Sequence, residues 1–228
     1  MMEATLPERL SPVHEELEHL HPRWGNLSGM PVALAFGETG DEAKLAKTLG
    51  LCDASALPRL TVKGLGAENV LTEQGLRAPT GIFDTTALEG GGLLTRTGST
   101  EFFLEDGPRG NAVASLNQRL AAPTVGVCRV LRQDASFLLS GTEALQVLAE
   151  TCGVDFRAAD TRMIFSRVAG VSCSLLKREL GGTGVFQLWL DGSYGPYLWH
   201  TLLEIVQEQR GGPAGLACFF PELFVNPS

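Results

Sequence analysis

The sequence predicts a mixed α/β chain built from two copies of one unit: strand, helix, strand, strand, helix, with mainly antiparallel sheets and helices on one face. An internal repeat carries this prediction. Val62-Lys-Gly-Leu-Gly-Ala-Glu-Asn-Val-Leu71 matches Leu139-Ser-Gly-Thr-Glu-Ala-Leu-Gln-Val-Leu148, and Phe102-Phe-Leu-Glu-Asp-Gly107 is echoed by Phe186-Gln-Leu-Trp-Leu-Asp-Gly192. Two landmarks recurring in the same order are the signature of duplicated units that bury faces against each other. The second observation is a change of period within each copy: alternation of about two in the strand segments, three to four in the helical ones.

The elements follow in order. Ser11 and Pro12 open a helix with Val13, Leu17 and Leu20 on one face. Pro22, Gly25 and Gly29 break helical structure, and Val32–Phe36 reads as a strand. Asp41 starts a helix bearing Ala43, Leu45, Ala46 and Leu49, which Gly50 ends. Leu60 and Val62 alternate with polar neighbours as in a strand. Gly64 and Gly66 turn the chain into a helix with Ala67, Val70 and Leu71. A hairpin spans Gly92–Arg96 and Glu101–Leu104 around Gly98-Ser99. The next helix has Ala112, Val113, Leu116 and Leu120 on its core face. After a break at Pro123 and Gly126 the order recurs. Phe137–Leu139 is a strand that turns at Gly141 into a helix with Ala144, Leu145, Val147 and Leu148. Val168–Lys177 and Val185–Leu190 are strands joined through Gly181, Gly182 and Gly184. A last helix turns Leu198, Leu202, Leu203 and Val206 inward and His200, Glu204 and Glu208 outward. The expected organisation is an N-terminal arm over 1–49, α/β halves over 50–122 and 123–210, and an apolar tail over 211–228.

Composition narrows the function classes. The formal net charge is −8 with no basic run, so a nucleic-acid partner, which needs a positive footprint, is not expected. No apolar stretch approaches about 20 residues, and the N-terminus lacks a signal-like apolar region, so no membrane partner is expected and the cytoplasm is the expected location. Cys52, Cys128, Cys152, Cys173 and Cys218 are odd in number and form no CxxC pair. They read as thiols in a reducing compartment.

Candidate chemistry is sparse. His14, Glu15, Glu18 and His19 share a helix, but lack the His pair of a zinc helix and read as a solvated face, so no metal is expected. Gly64-x-Gly66 lacks the third glycine of a dinucleotide turn, since position 69 is Asn69. No Gly-x-Ser-x-Gly occurs, and His200 sits on a polar face, so no catalytic residue is expected. Arg132, Asp134, Arg157, Asp160 and Arg162 form a mixed-charge group with two readings: surface ion pairs, or a pocket in which Arg132, Arg157 and Arg162 receive an anion. The tail Ala217-Cys-Phe-Phe-Pro-Glu-Leu-Phe-Val225 is apolar for a free terminus. It either docks on the chain's own core or, with Trp24, offers Phe219, Phe220 and Phe224 as interface anchors.

Gly50-Leu-Cys-Asp-Ala-Ser-Ala-Leu-Pro-Arg-Leu-Thr-Val-Lys-Gly64 resembles the opening of the aminomethyltransferase (glycine-cleavage T-protein) superfamily, which has Gly-Leu-x-Asp-x-Ser before a strand, a glycine and a helix. Arg167-Val-Ala-Gly-Val-Ser-Cys-Ser-Leu-Leu176 and Phe186-Gln-Leu-Trp-Leu-Asp-Gly-Ser-Tyr-Gly-Pro-Tyr-Leu-Trp199 resemble the gamma subunit of heterotetrameric sarcosine oxidase within it. The likeness spans roughly Gly50 to Gln209. It implies two interlocked halves of the folate-binding fold without the enzymes' C-terminal barrel, for which the chain to Ser228 is too short. It implies a non-catalytic subunit, partnered by flavin- and dinucleotide-binding oxidase subunits that carry FAD, FMN and NAD, with no cofactor on this chain. The enzymes place a catalytic Asp after a Gly-Gly pair; here Gly90-Gly-Gly92 runs into Leu93-Leu-Thr-Arg-Thr97. Their Tyr-Thr-Gly-Glu-x-Gly-Phe-Glu run corresponds to Leu180-Gly-Gly-Thr-Gly-Val-Phe-Gln187, so Leu180, Thr183 and Gln187 replace a tyrosine and two carboxylates. A pterin would lose its charge-assisted hydrogen bonds there. The alternative is a stand-alone folate-binding, one-carbon-transfer protein using tetrahydrofolate.

Overall fold

The computed structural model describes residues 9–158 and 162–224. In chain order the regular elements are α1 (His14–Glu18), β1 (Arg23–Leu27), β2 (Met30–Ala35), α2 (Thr39–Thr48), β3 (Gly50–Asp53), β4 (Arg59–Lys63), α3 (Ala67–Glu73), β5 (Thr85–Ala87), β6 (Leu93–Gly98), β7 (Glu101–Glu105), α4 (Ala112–Arg119), β8 (Cys128–Leu131), β9 (Ala135–Ser140), α5 (Ala144–Thr151), β10 (Ile164–Val168), β11 (Val171–Leu180), β12 (Thr183–Leu190), α6 (Gly195–Glu208) and β13 (Gly212–Pro213). They form two compact units. The first draws on residues 1–56, 134–157 and 166–228, the second on 57–133 and 158–165.

The second unit is a five-stranded antiparallel sheet in the order β5-β6-β7-β4-β8. Strand alternation turns Leu60, Val62, Leu94, Phe102 and Leu104 to one face. There they meet Ala67, Val70 and Leu71 of α3, and Val113, Leu116 and Leu120 at α4, in one buried cluster. The first unit holds a six-stranded sheet in the order β10-β11-β12-β9-β3-β13, together with the β1-β2 hairpin. Its pairings are antiparallel from β11 to β3, and β13 runs parallel to β3. Gly181 and Gly182, at φ 55° and 73°, supply the left-handed turn that a tight β11-β12 hairpin needs.

The duplication is visible in this topology. Each sheet places a long hairpin on one side of a central strand, β4 or β9, and on the other side a strand that lies just ahead of the other sheet's central strand in sequence. That strand is β8 beside β4, and β3 beside β9. Gly64 and Gly141 both follow the central strand, with φ 118° and 95°. A Cβ at Gly64 would lie 2.1 Å from the carbonyl oxygen of Gly126, ahead of β8; one at Gly141 would lie 2.4 Å from the carbonyl of Thr48, ahead of β3. Only glycine fits either turn.

Several expectations are corrected. Residues 23–27, read only as a helix break, form β1. Gly50 opens strand β3 rather than merely ending α2. The strand expected over 168–177 is divided by a turn at Ala169-Gly170, between β10 and β11. The units do not follow the expected boundaries at 50 and 123, because β3 and β8 cross over. The segments expected as a separate arm and tail both belong to the first unit.

The tail is core there. Leu216, Phe219 and Phe220 are 0%, 1% and 3% exposed. The buried Glu42 of α2 ties it down, accepting the N–H of Phe36 at 3.1 Å and that of Gly215. Ala214 N–H donates to the Leu51 carbonyl at 2.8 Å.

Candidate functional site

The positions where the resemblance places a tyrosine and two carboxylates lie on the β11-β12 hairpin. Leu180 and Thr183 face each other across it, both buried. Gln187 is fully buried on β12, which pairs it with Leu138 and Leu176. Its amide Nε2 donates to Ser136 Oγ at 3.0 Å, and its Oε1 accepts from Arg178 Nη1 at 3.0 Å. The network continues from Ser136 N–H to Ser55 Oγ at 3.0 Å, and from Ser55 Oγ to Asp53 Oδ1 at 2.5 Å. A primary amide neither gives nor takes a proton near neutral pH, so Gln187 can orient neighbours but cannot act as an acid or base.

After Gly91-Gly92 in the second unit, β6 presents Leu93, Leu94, Thr95 and Arg96. Thr95 Oγ1 bonds Thr85 Oγ1 at 2.8 Å. The Arg96 guanidinium is occupied by Pro79 O, Ser99 O and Glu68 Oε2 at 2.6, 3.0 and 2.6 Å, and lies 4.6 Å from the Phe102 ring centroid. The strand offers no carboxylate between Leu93 and Gly98.

The three arginines singled out by sequence have separate local roles. Arg157, in the first unit, chelates Asp155 through Nε and Nη2; these hydrogen bonds lower the Asp155 pKa to about 2. In the second unit, Arg162 Nε pairs with Asp84 Oδ1 at 3.0 Å and Nη2 donates to Ile82 O at 2.7 Å. Arg132 stands 5.9 Å from the Phe103 ring centroid. Arg162 borders two cavities of about 410 and 370 Å³ whose linings do not include Arg132. Asp160 lies outside the described residues.

Of the proposed interface anchors, Trp24 is 36% exposed and packs on His14 with ring centroids 4.8 Å apart. Phe219 and Phe220 are corrected: both are buried within the first unit, where Gly212-Pro213 pairs with β3 and the Leu216–Cys218 turn packs on β2 and α2. The Phe224 side chain lies outside the described set. Sequence reading missed the exposed pair Phe83 and Phe165, whose rings lie 5.3 Å apart. Its signal was local: two large apolar residues, Ile82-Phe83, inside the Gly81–Asp84 turn.

The remaining titratable groups are structural. His14 Nε2 pairs with Glu18 at 3.2 Å, and no group of three or more His, Cys, Asp or Glu among the described residues could hold a metal. Burial pushes the Cys173 thiol up to about 12, and burial followed by Glu42 pushes Cys218 to about 12, so both resist ionisation. A cavity of about 700 Å³ in the second unit is lined by Asp106, Arg109 and Ser115 among others. Asp106 accepts the Val113 N–H at 2.8 Å and so caps α4. No helix among the described residues is long and apolar enough to cross a membrane.

No family model matches the chain. The aminomethyltransferase of Moorella thermoacetica (strain ATCC 39073 / JCM 9320) is 26% identical over 191 residues, covering 77% of this chain and 52% of that protein. The chain thus spans about half the length of this curated relative. Among solved structures, glycine cleavage system aminomethyltransferase T from Bartonella henselae matches at a TM-score of 0.73 and 20% identity, over 92% of this chain and 60% of that one. A chain of the heterotetrameric sarcosine oxidase from Corynebacterium sp. U-96, in complex with pyrrole 2-carboxylate, matches at a TM-score of 0.62 and 16% identity, over 88% of this chain and 95% of that one. The chain has the T-protein fold; it is similar in sequence to an aminomethyltransferase and similar in fold to a chain of a heterotetrameric sarcosine oxidase.

Proposed function

We propose that this chain is a non-catalytic, gamma-like subunit of a heteromeric, sarcosine oxidase-type flavin-dependent amine oxidase or dehydrogenase. The observation that carries the reading is Gln187: where the resemblance places a carboxylate, the buried side chain is an amide held by Ser136 and Arg178, which has no proton to move. The likeness in fold to a chain of a heterotetrameric sarcosine oxidase supports it. On this reading FAD, FMN or NAD reside on partner subunits, and this chain orients or stabilises them in the cytoplasm, binding neither nucleic acid nor membrane.

The sequence relationship to an aminomethyltransferase favours a second reading, a stand-alone folate-binding protein of one-carbon transfer. A turnover assay of the purified chain with tetrahydrofolate and a methylamine donor separates the two. The subunit reading expects no product above the rate without protein. Folate-dependent turnover that Gln187→Ala abolishes, in a variant still folded by circular dichroism, would establish the second reading instead.

A further inference from the structure

We propose that the second unit binds a small oxyanion-bearing ligand, a carboxylate or a phosphate, in the cavity of about 410 Å³ that Arg77 and Arg162 border together with Thr80, Thr85 and Thr86. The inference is independent of the subunit reading. The charged groups of the lining are two guanidiniums and one carboxylate, Asp84, a net of +1 by count, in a chain of net −8. A locally cationic pocket on an acidic protein attracts anions.

The cationic side chains are placed differently. Asp84 and the Ile82 carbonyl hold Arg162, so its guanidinium plane is fixed before any ligand arrives. Arg77 is exposed and has no hydrogen-bond or ion-pair partner among the described residues. A guanidinium fork without a partner matches the planar, bidentate geometry of carboxylate and phosphate. The Thr80 and Thr86 hydroxyls are likewise unengaged and can donate.

The wall is rigid. The buried Arg96 Nε holds the Pro79 carbonyl at 2.6 Å, and the Arg96 main chain brackets the turn, accepting from Phe83 N–H at 2.6 Å and donating to Asp84 O at 3.2 Å. Asp84 Oδ2 accepts the Gly81 N–H at 3.2 Å, and the Thr85–Thr95 hydroxyl bond fixes β5. Such preorganisation lowers the ordering cost of binding. A cation is a poor fit, because the single carboxylate already faces Arg162.

The test is calorimetric titration of the full chain with inorganic phosphate and, separately, with succinate, each at constant ionic strength set by chloride. The proposal expects saturable binding of at least one probe. Arg77→Ala should weaken it about tenfold or more, and Arg77→Lys should weaken it less. Lys44→Ala, exposed in the first unit, should leave it unchanged. Tighter phosphate would mark a phosphate-bearing ligand, tighter succinate a carboxylate. Failure of both probes to saturate by about 20 mM, or an Arg77→Ala affinity equal to wild type, would overturn the site.

Discussion

The two sheets share a strand order but bury different polar chemistry and finish their edges differently. At the centre of the first, the neutral Gln187, Ser136 and Ser55 bridge two charged ends, Arg178 and Asp53. In the second, the central strands carry a fully buried ion pair, Arg59 Nε to Glu105 Oε2 at 2.7 Å. In the first sheet β3 is not an edge, because β13 pairs with it and forms the last strand. Its counterpart β8 ends its sheet uncovered, with Val130 and Leu131 37% and 61% exposed. One duplicated scaffold therefore tolerates both solutions, an outer strand paired by a further segment and an outer strand left at the edge.

Removing the tail should have the largest effect. Truncation after Gly215 deletes the buried Leu216, Phe219 and Phe220, and thermal melting should show loss of cooperative unfolding. The single change Phe219→Ala should cost about 3–5 kcal/mol. A truncated chain that melts like wild type would mean the tail is dispensable and would reopen it as an interface.

Next come the polar cores. Glu105→Ala leaves Arg59 buried against a lost counter-charge and should cost about 3–5 kcal/mol in denaturant unfolding. Gln187→Ala removes the hydrogen bonds to Ser136 and Arg178 and should cost about 1–3 kcal/mol. If the order of these two effects reversed, the contrast between a direct ion pair and an amide-bridged network would fail.

The smallest effect is a pH dependence. Burial raises the pKa of Asp106, against the lowering by the Val113 and Ala112 N–H groups. A folded-state pKa above the unfolded one favours the fold below the unfolded value, and that advantage is lost as pH rises through the folded value. Asp106→Asn keeps an acceptor for the α4 terminus but does not ionise. Relative to it, wild type should lose stability from about pH 4 upward and then level off. A gap that is constant with pH, or of opposite sign, would contradict this assignment.

Much of this was legible in the sequence where the signal is local. Gly64 and Gly141 marked equivalent turns because a left-handed backbone at a close approach demands glycine wherever the unit recurs. β3 and β8 were not legible. Their partners are remote, as in Leu51 opposite Leu139 and Thr61 opposite Val130, and four residues carry too little periodicity to announce a strand. The tail's apolar composition showed that it must be covered, but composition does not say by what; the answer is β2 and α2 of its own unit. Arg132, Arg157 and Arg162 fall in one stretch of the sequence, yet their contacts diverge, to Phe103, Asp155 and Asp84. Arg77, which shares a cavity with Arg162, lies 85 positions away, beyond the reach of any spacing argument.

The proposal that this chain serves a catalytic partner is tested most directly by isolating it through an affinity tag at native expression and recording the absorption spectrum and composition of what co-purifies. The account predicts a stoichiometric complex with a flavin spectrum, bleached by a secondary N-methyl amine, in which the flavin belongs to the other subunits. A chain that purifies alone, without flavin, from cells that express such an oxidase would contradict it.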